Sequence, residues 1–227
     1  EALAVVAAYA PTAGRDDVTA SGCVVTFRGA TSWTLPLQTV DTTLMPWQTP
    51  ACNASGRAQC KVAASFLKSW TVLKPSILQA LQEAGCPKGS KLRVTGHGLG
   101  AAVASLAAFS LHDEEGYDLQ TSYTFAGPKV GNAAFAAAFN SLTKKGGTIP
   151  LFAVTHTNDE VPAFPQSPEF ALAGYQAWYS GTSADDYMLC GSSLEDWKCG
   201  MLNIPEGMLC AVNPAYECPT QVCNNPR

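Results

Sequence analysis

Hydrophobic and polar positions along the chain fall into blocks of two kinds. Leu3 to Tyr9 and Gly22 to Phe27 are short apolar runs rich in β-branched residues, separated by the polar stretch Pro11 to Ala20, and read as neighbouring strands. Leu35 to Gly56 carries Pro, Thr and Gln without a period and reads as an ordered loop region. Between Lys61 and Ala84 the period changes: Val62, Phe66, Trp70, Leu73, Ile77, Leu78 and Leu81 share one helical face. Pro75 is expected to kink or divide that helix, and Gly85 to stop it. Strands follow at Leu92–Thr95, Thr121–Ala126 and Ile149–His156, with helices between them running to about Leu111 and over Ala133–Leu142. After Val161-Pro162 the pattern becomes irregular. Strands alternating with helices predict an α/β fold, a mostly parallel central sheet with helices on both faces, in one domain spanning residues 1–227.

One junction stands out chemically. Lys91 to Thr95 reads as a strand, Gly96-His97-Gly98-Leu99-Gly100 as a glycine-punctuated turn, and Ala101 to Leu106 as a small-residue helix. That layout matches a nucleophile elbow, G-x-S-x-G, in which a strained turn lifts a serine above a sheet. Here the central residue is Gly98, which has no side chain to attack with.

Composition narrows the class. Hydrophobic residues make up 47% of the 227 and charged residues 14%, the profile of an ordered globular chain. The net charge of −4, with scattered Lys and Arg, argues against nucleic acid as a partner. The longest uncharged apolar run, Leu99 to Leu111, is shorter than the roughly 20 residues of a membrane span. Nine cysteines without paired C-x-x-C spacing, and only three histidines, point to disulfides in an oxidising, extracellular setting and not to a metal site; no cofactor is implied. Asn53-Ala54-Ser55 is a glycosylation sequon. An odd cysteine count leaves one thiol free or bonded to another chain. The first residue is Glu1, and the chain reads as a processed form.

Five landmarks in order carry a resemblance: Val25-Thr26-Phe27-Arg28-Gly29, Cys60-Lys61-Val62 through Phe66 to Trp70, Val94 to Gly100, Tyr123 to Asn132, and Asn158-Asp159-Glu160-Val161-Pro162. Over nearly the whole chain they resemble the fungal class 3 lipases, a family of triacylglycerol lipases and feruloyl esterases with an α/β-hydrolase fold. The resemblance implies a serine nucleophile at position 98, an aspartate at Asp159 and a histidine near Asn213, three residues before Tyr216. Asp159 is present; Gly98 and Asn213 stand where the nucleophile and base are expected, and no histidine follows His156. Ala30 replaces the Ser or Thr that helps hold the oxyanion, and Ala63-Ala64-Ser65-Phe66 replaces the family's His-x-Gly-Phe. The resemblance also implies a Cys190–Cys199 disulfide loop. It pairs Cys223 with an N-terminal helix that these residues do not include, so a separate disulfide-linked N-terminal chain through Cys223 is expected.

The reading that follows is a secreted lipase-fold pseudoenzyme acting through binding, as a toxin, effector or subunit with a protein partner. One alternative is a binder of a lipid or aromatic acid in the former acyl groove, with Leu99, Ala30 and His97 at the site. Another is residual ester hydrolysis using Ser65 or Ser105. His97 is expected to be structural, His156 to serve surface or packing roles, Asp159 to bond local backbone or Asn213, and His112 to Glu115 to be a solvated helix end.

Overall fold

The computed structural model describes residues 3–9, 21–30, 39–53, 59–142, 151–157, 159–181, 183 and 185–190. In chain order these form β1 (Ala4–Tyr9), β2 (Gly22–Phe27), β3 (Leu44–Pro46), β4 (Lys61–Ala63), α1 (Ala64–Glu83), β5 (Lys91–His97), α2 (Leu99–Asp113), β6 (Asp118–Leu119), β7 (Ser122–Phe125), β8 (Gly131–Asn132), α3 (Ala133–Ser141), β9 (Leu151–His156), β10 (Phe170–Ala171), β11 (Tyr175–Tyr179) and β12 (Tyr187–Cys190).

The main sheet runs β1-β2-β5-β7-β9-β11-β12, with the short β6 also paired to β5. β2, β5, β7, β9 and β11 are parallel, and an antiparallel strand closes each edge. A smaller antiparallel sheet has the order β10-β8-β4-β3. The expected α/β architecture with a mostly parallel sheet is what the chain adopts.

Register and burial together locate the core. Cys23, Val25 and Phe27 of β2, Leu92 and Val94 of β5, Thr124 of β7, Leu151 and Ala153 of β9 and Gln176 of β11 fall on one face, and all are buried. Against that face lies α2, whose residues Gly100 to Leu111 are buried without interruption. A helix apolar on every side must be covered on every side. Here α1 covers it through Phe66, Trp70, Ile77 and Leu81, and an aromatic cluster of Trp47, Phe109, Phe135 and Phe139, with ring centroids 5.3–5.9 Å apart, covers the rest. The helices described thus cluster on one side of the sheet; the expected layer on its second face is not among the described residues.

Several expectations are corrected. Lys61–Ala63 is β4 and not the first helical turn, because Ala63 is extended and donates its N–H to the Val130 carbonyl, stitching β4 into the small sheet. Pro75 does not divide α1: the buried stripe continues on both sides of it. Gly85 does end the helix, at φ +74°. The supposedly irregular region after Val161-Pro162 contains β10, β11 and β12, and the loop region before Gly56 contains β3. Disulfides Cys23–Cys86 and Cys52–Cys60 tie β2 to the chain after α1 and close the loop that follows β3.

Candidate functional site: an elbow without its nucleophile

β5 enters the elbow with His97 and leaves through Gly98 at φ +56°, ψ −126°, directly into α2. This is a sparsely populated backbone region, at which a side chain would be strained. The glycines on either side are demanded by close approach. A Cβ on Gly96 would stand 2.5 Å from the Gly100 carbonyl oxygen, and one on Gly100 would stand 2.5 Å from that of Phe27. Gly29, opposite, would bring a Cβ within 2.6 Å of the His97 carbonyl. The Gly98 position is different: its Cβ direction meets nothing within 4 Å. The backbone therefore presents position 98 to open space, as a nucleophile would be presented.

Hydrogen bonds fix that shape. The Gly98 N–H donates to the Phe125 carbonyl at 2.9 Å, and the Gly98 carbonyl accepts from Ala101 at 3.0 Å and Ala102 at 3.4 Å. Leu99 opens the helix, so its N–H has no intrahelical acceptor. The N-terminus has no side-chain cap and no acid in its first turn, which leaves its partial positive charge unopposed by the helix's own residues. Strain is concentrated at this edge of the sheet. The neighbouring strands β7 and β9 also end in left-handed residues, Ala126 at φ +49° and Thr157 at φ +36°. The carboxyl ends of parallel strands are where open α/β sheets place their sites.

Beside the elbow lies a cavity of about 180 Å³ bordered by Leu99, Val103, Phe27, Ala30, Leu73 and Leu3, among others. Ala30 is exposed at its rim. Leu99 and Ala30 thus border one cavity, and His97 is exposed at the end of β5.

Asp159 follows β9, where expected. Its Oδ1 accepts from the Val161 N–H at 3.0 Å, two residues on, and its own N–H donates to the His156 carbonyl at 3.0 Å, just before the short 3₁₀ turn Val161–Ala163. His156 is exposed; its Nε2 donates to the Gly181 carbonyl, 2.9 Å away, and its Nδ1 lies 2.9 Å from the Thr157 hydroxyl. Neither alternative serine is free. Ser65 Oγ accepts from the Asp41 N–H at 2.8 Å, and Ser105 Oγ donates to the Ala101 carbonyl at 3.0 Å from within the core. Asn213, Cys199 and Cys223 lie outside the described residues. Cys190 is disulfide-bonded. Asn53 is exposed, its N–H donating to the Thr49 carbonyl, while Ala54 and Ser55 lie outside the described residues.

Two features escaped the sequence reading. Lys129 is buried, with its Nζ donating to the Pro165 carbonyl at 3.2 Å, and burial lowers its ammonium below the ordinary lysine range. A lysine in a Gly-Pro-Lys turn carries no signal that distinguishes this from solvation. The end of α2 is not simply solvated either. Asp113 accepts from the Ala51 N–H, His112 bonds the Tyr117 carbonyl, and Glu114 and Glu115 pair with Lys74. No group of three or more His, Cys, Asp or Glu among the described residues could hold a metal ion.

Residues 24–168 match the family model described as lipase (class 3). The chain belongs to the class 3 lipase family. It is 36% identical over 150 residues to the secreted mono- and diacylglycerol lipase A of Penicillium cyclopium, covering 66% of this chain and 45% of that protein. To the lipase of Rhizomucor miehei it is 31% identical over 186 residues, covering 80% of this chain and 48% of that one. The chain thus spans about half the length of the curated relatives it matches. Among solved structures, the lipase from Rhizopus microsporus var. chinensis superposes with a TM-score of 0.61 at 28% identity, over 81% of this chain and 61% of that one. A triacylglycerol lipase described as having a serine protease triad at its catalytic centre gives 0.60 at 27% identity, over 88% of this chain and 76% of that one.

Proposed function

We propose that this class 3 lipase acts by binding and not by ester hydrolysis, as an extracellular protein. The observation that carries the reading is Gly98: the elbow keeps the backbone of a nucleophile turn and aims position 98 into open space, with no hydroxyl there. Covalent acyl transfer needs a side-chain nucleophile with a base in reach. The two serines weighed as substitutes are engaged with backbone, and Asp159 accepts from the Val161 N–H. Ala30 supplies no hydroxyl to an oxyanion. An extracellular setting is supported by the disulfides and by relatives that are themselves named as secreted. On this reading the partner is another protein, with the chain acting as a toxin, effector or subunit.

The cavity beside the elbow favours a second reading, a small ligand. Leu3, Phe27, Leu73, Leu99 and Val103 give its border apolar surface, Arg28 and Ser69 add polar groups, and it adjoins the uncapped start of α2. A lipid or aromatic acid would lay its apolar body there and its carboxylate toward the Leu99 N–H, where a helix N-terminus favours negative charge. Native mass spectrometry of protein from its natural source, before and after reduction, separates the readings. A protein-sized increment supports a partner, and its loss only on reduction identifies a disulfide-linked chain. An increment in the small-molecule range that survives reduction supports the ligand. Turnover of an ester by the same preparation overturns both.

A further inference from the structure

One motif of the sequence plays no part in the candidate site. Asn53-Ala54-Ser55 is the single Asn-x-Ser/Thr sequence, without proline in its middle position, among the 227 residues. The fold holds its asparagine in a particular way. After β3 the chain turns at the buried Thr49, whose carbonyl accepts from the Asn53 N–H at 2.9 Å. Cys52, one residue earlier, donates its N–H to the Thr49 hydroxyl at 3.2 Å and carries the disulfide to Cys60. Ala51 donates to the Asp113 carboxylate at 2.9 Å, which fastens the turn to the last residue of α2. Backbone hydrogen bonds and a disulfide thus anchor residues 51–53, and Asn53 itself is exposed. Two other asparagines have amides committed to the fold. Asn132 bonds Lys61, Phe135 and Gln59, and Asn140 accepts from the Gly174 N–H.

We propose that Asn53 is an acceptor site for an N-linked oligosaccharide. The inference rests on the extracellular reading, because this chemistry acts on chains entering the secretory route. The Asn53 amide nitrogen attacks the anomeric carbon of an oligosaccharide carried on a lipid pyrophosphate. A C–N bond forms, and the bond from that carbon to the pyrophosphate oxygen breaks. Its electron pair leaves with the pyrophosphate, and one amide proton passes to solvent. Ser55 supplies the hydroxyl that the motif requires two positions on. The product is bulky and hydrophilic, which suits an exposed asparagine on an anchored surface turn. Its position bears on the partner as well. α2 runs 15 residues from the elbow to Asp113, about 22 Å at roughly 1.5 Å per residue. A glycan at Asn53 therefore sits by the end of α2 opposite the elbow. It keeps that end facing solvent and leaves the elbow and its cavity open to a partner or ligand.

The test routes the full chain through the secretory pathway of a eukaryotic host and measures its mass before and after peptide N-glycosidase. Treatment is expected to remove the mass of an oligosaccharide and to leave aspartate at position 53 in the peptide map. Asn53→Gln and Ser55→Ala should each abolish the shift, whereas Ser55→Thr should retain it. Secreted chain whose mass is unchanged by the enzyme overturns the proposal, and so does a shift that persists in Asn53→Gln. Failure of the extracellular reading looks different. Chain from its natural source would then lack the oligosaccharide that the same chain gains on directed secretion, which supports the acceptor site and overturns the extracellular setting.

Discussion

A Cβ at Gly96 or Gly100 would collide with a backbone carbonyl at 2.5 Å, while one at Gly98 would meet only strain in φ. The three elbow glycines should therefore differ in cost. Gly96→Ala and Gly100→Ala must push backbone apart and are expected to lose about 3 kcal/mol or more of stability. Gly98→Ala should lose about 1–2 kcal/mol, the cost of placing a side chain in that backbone region. Urea melts of the three variants check the order, and equal losses would contradict it. Gly98→Ser should fold like Gly98→Ala. On the binding reading it should still leave ester hydrolysis at background, since the Asp159 carboxylate accepts from the Val161 N–H and His97 and His156 are exposed at strand ends. Lys129 makes a different test. Its ammonium is held below the ordinary range by burial, so the unfolded chain binds the proton more readily than the folded one. Stability then rises as pH climbs from the lowered value toward the unfolded value of about 10.4. Thermal melts across that window should show the rise in the native chain and lack it in Lys129→Met.

Among the elements, the longer apolar runs were legible, and the short strands of the irregular segments were not. The apolar run of β2 and the buried run of α2 appear in the structure as a strand and a helix, as the hydrophobicity suggests, and the elbow was recognisable from its glycine spacing alone. β11 was missed because Gln176 sits on its inward face, satisfied by the Thr155 hydroxyl at 2.8 Å, so a polar residue occupies a core position. β4 was read as helix because Val62 falls in phase with the stripe of α1, and only its pairing with β8 and β3 makes it a strand. Pro75 was expected to interrupt α1, yet packing of Trp70 and Ile77 on either side holds the helix continuous. The disulfides belong to this scale. Cys23–Cys86 closes a 63-residue separation and Cys52–Cys60 one of 8. In the chain-entropy account, removing the first should cost about 4 kcal/mol and removing the second about 2.5 kcal/mol. Paired Cys→Ala variants measured by denaturant melts test that difference.

For the molecule as a whole, membership of the class 3 lipase family goes with a mostly parallel sheet and a glycine elbow whose apex is Gly98, and Asp159 follows β9. Two positions that the resemblance singles out were less legible: Asn213 lies outside the described residues, and the hydrogen bond that the Asp159 carboxylate accepts from Val161 has no signal in the sequence. Sequence motifs place residues along strands; they do not tell which neighbour will take a carboxylate's hydrogen bonds. The proposal that the chain binds rests on the cavity beside the elbow and on glycine at its apex. The measurement that bears most directly on this account is hydrolysis of monoacylglycerol and p-nitrophenyl butyrate by the native chain, followed by titration. Release of fatty acid or nitrophenol at the uncatalysed background rate is the predicted result. Turnover above background that scales with protein concentration would contradict it.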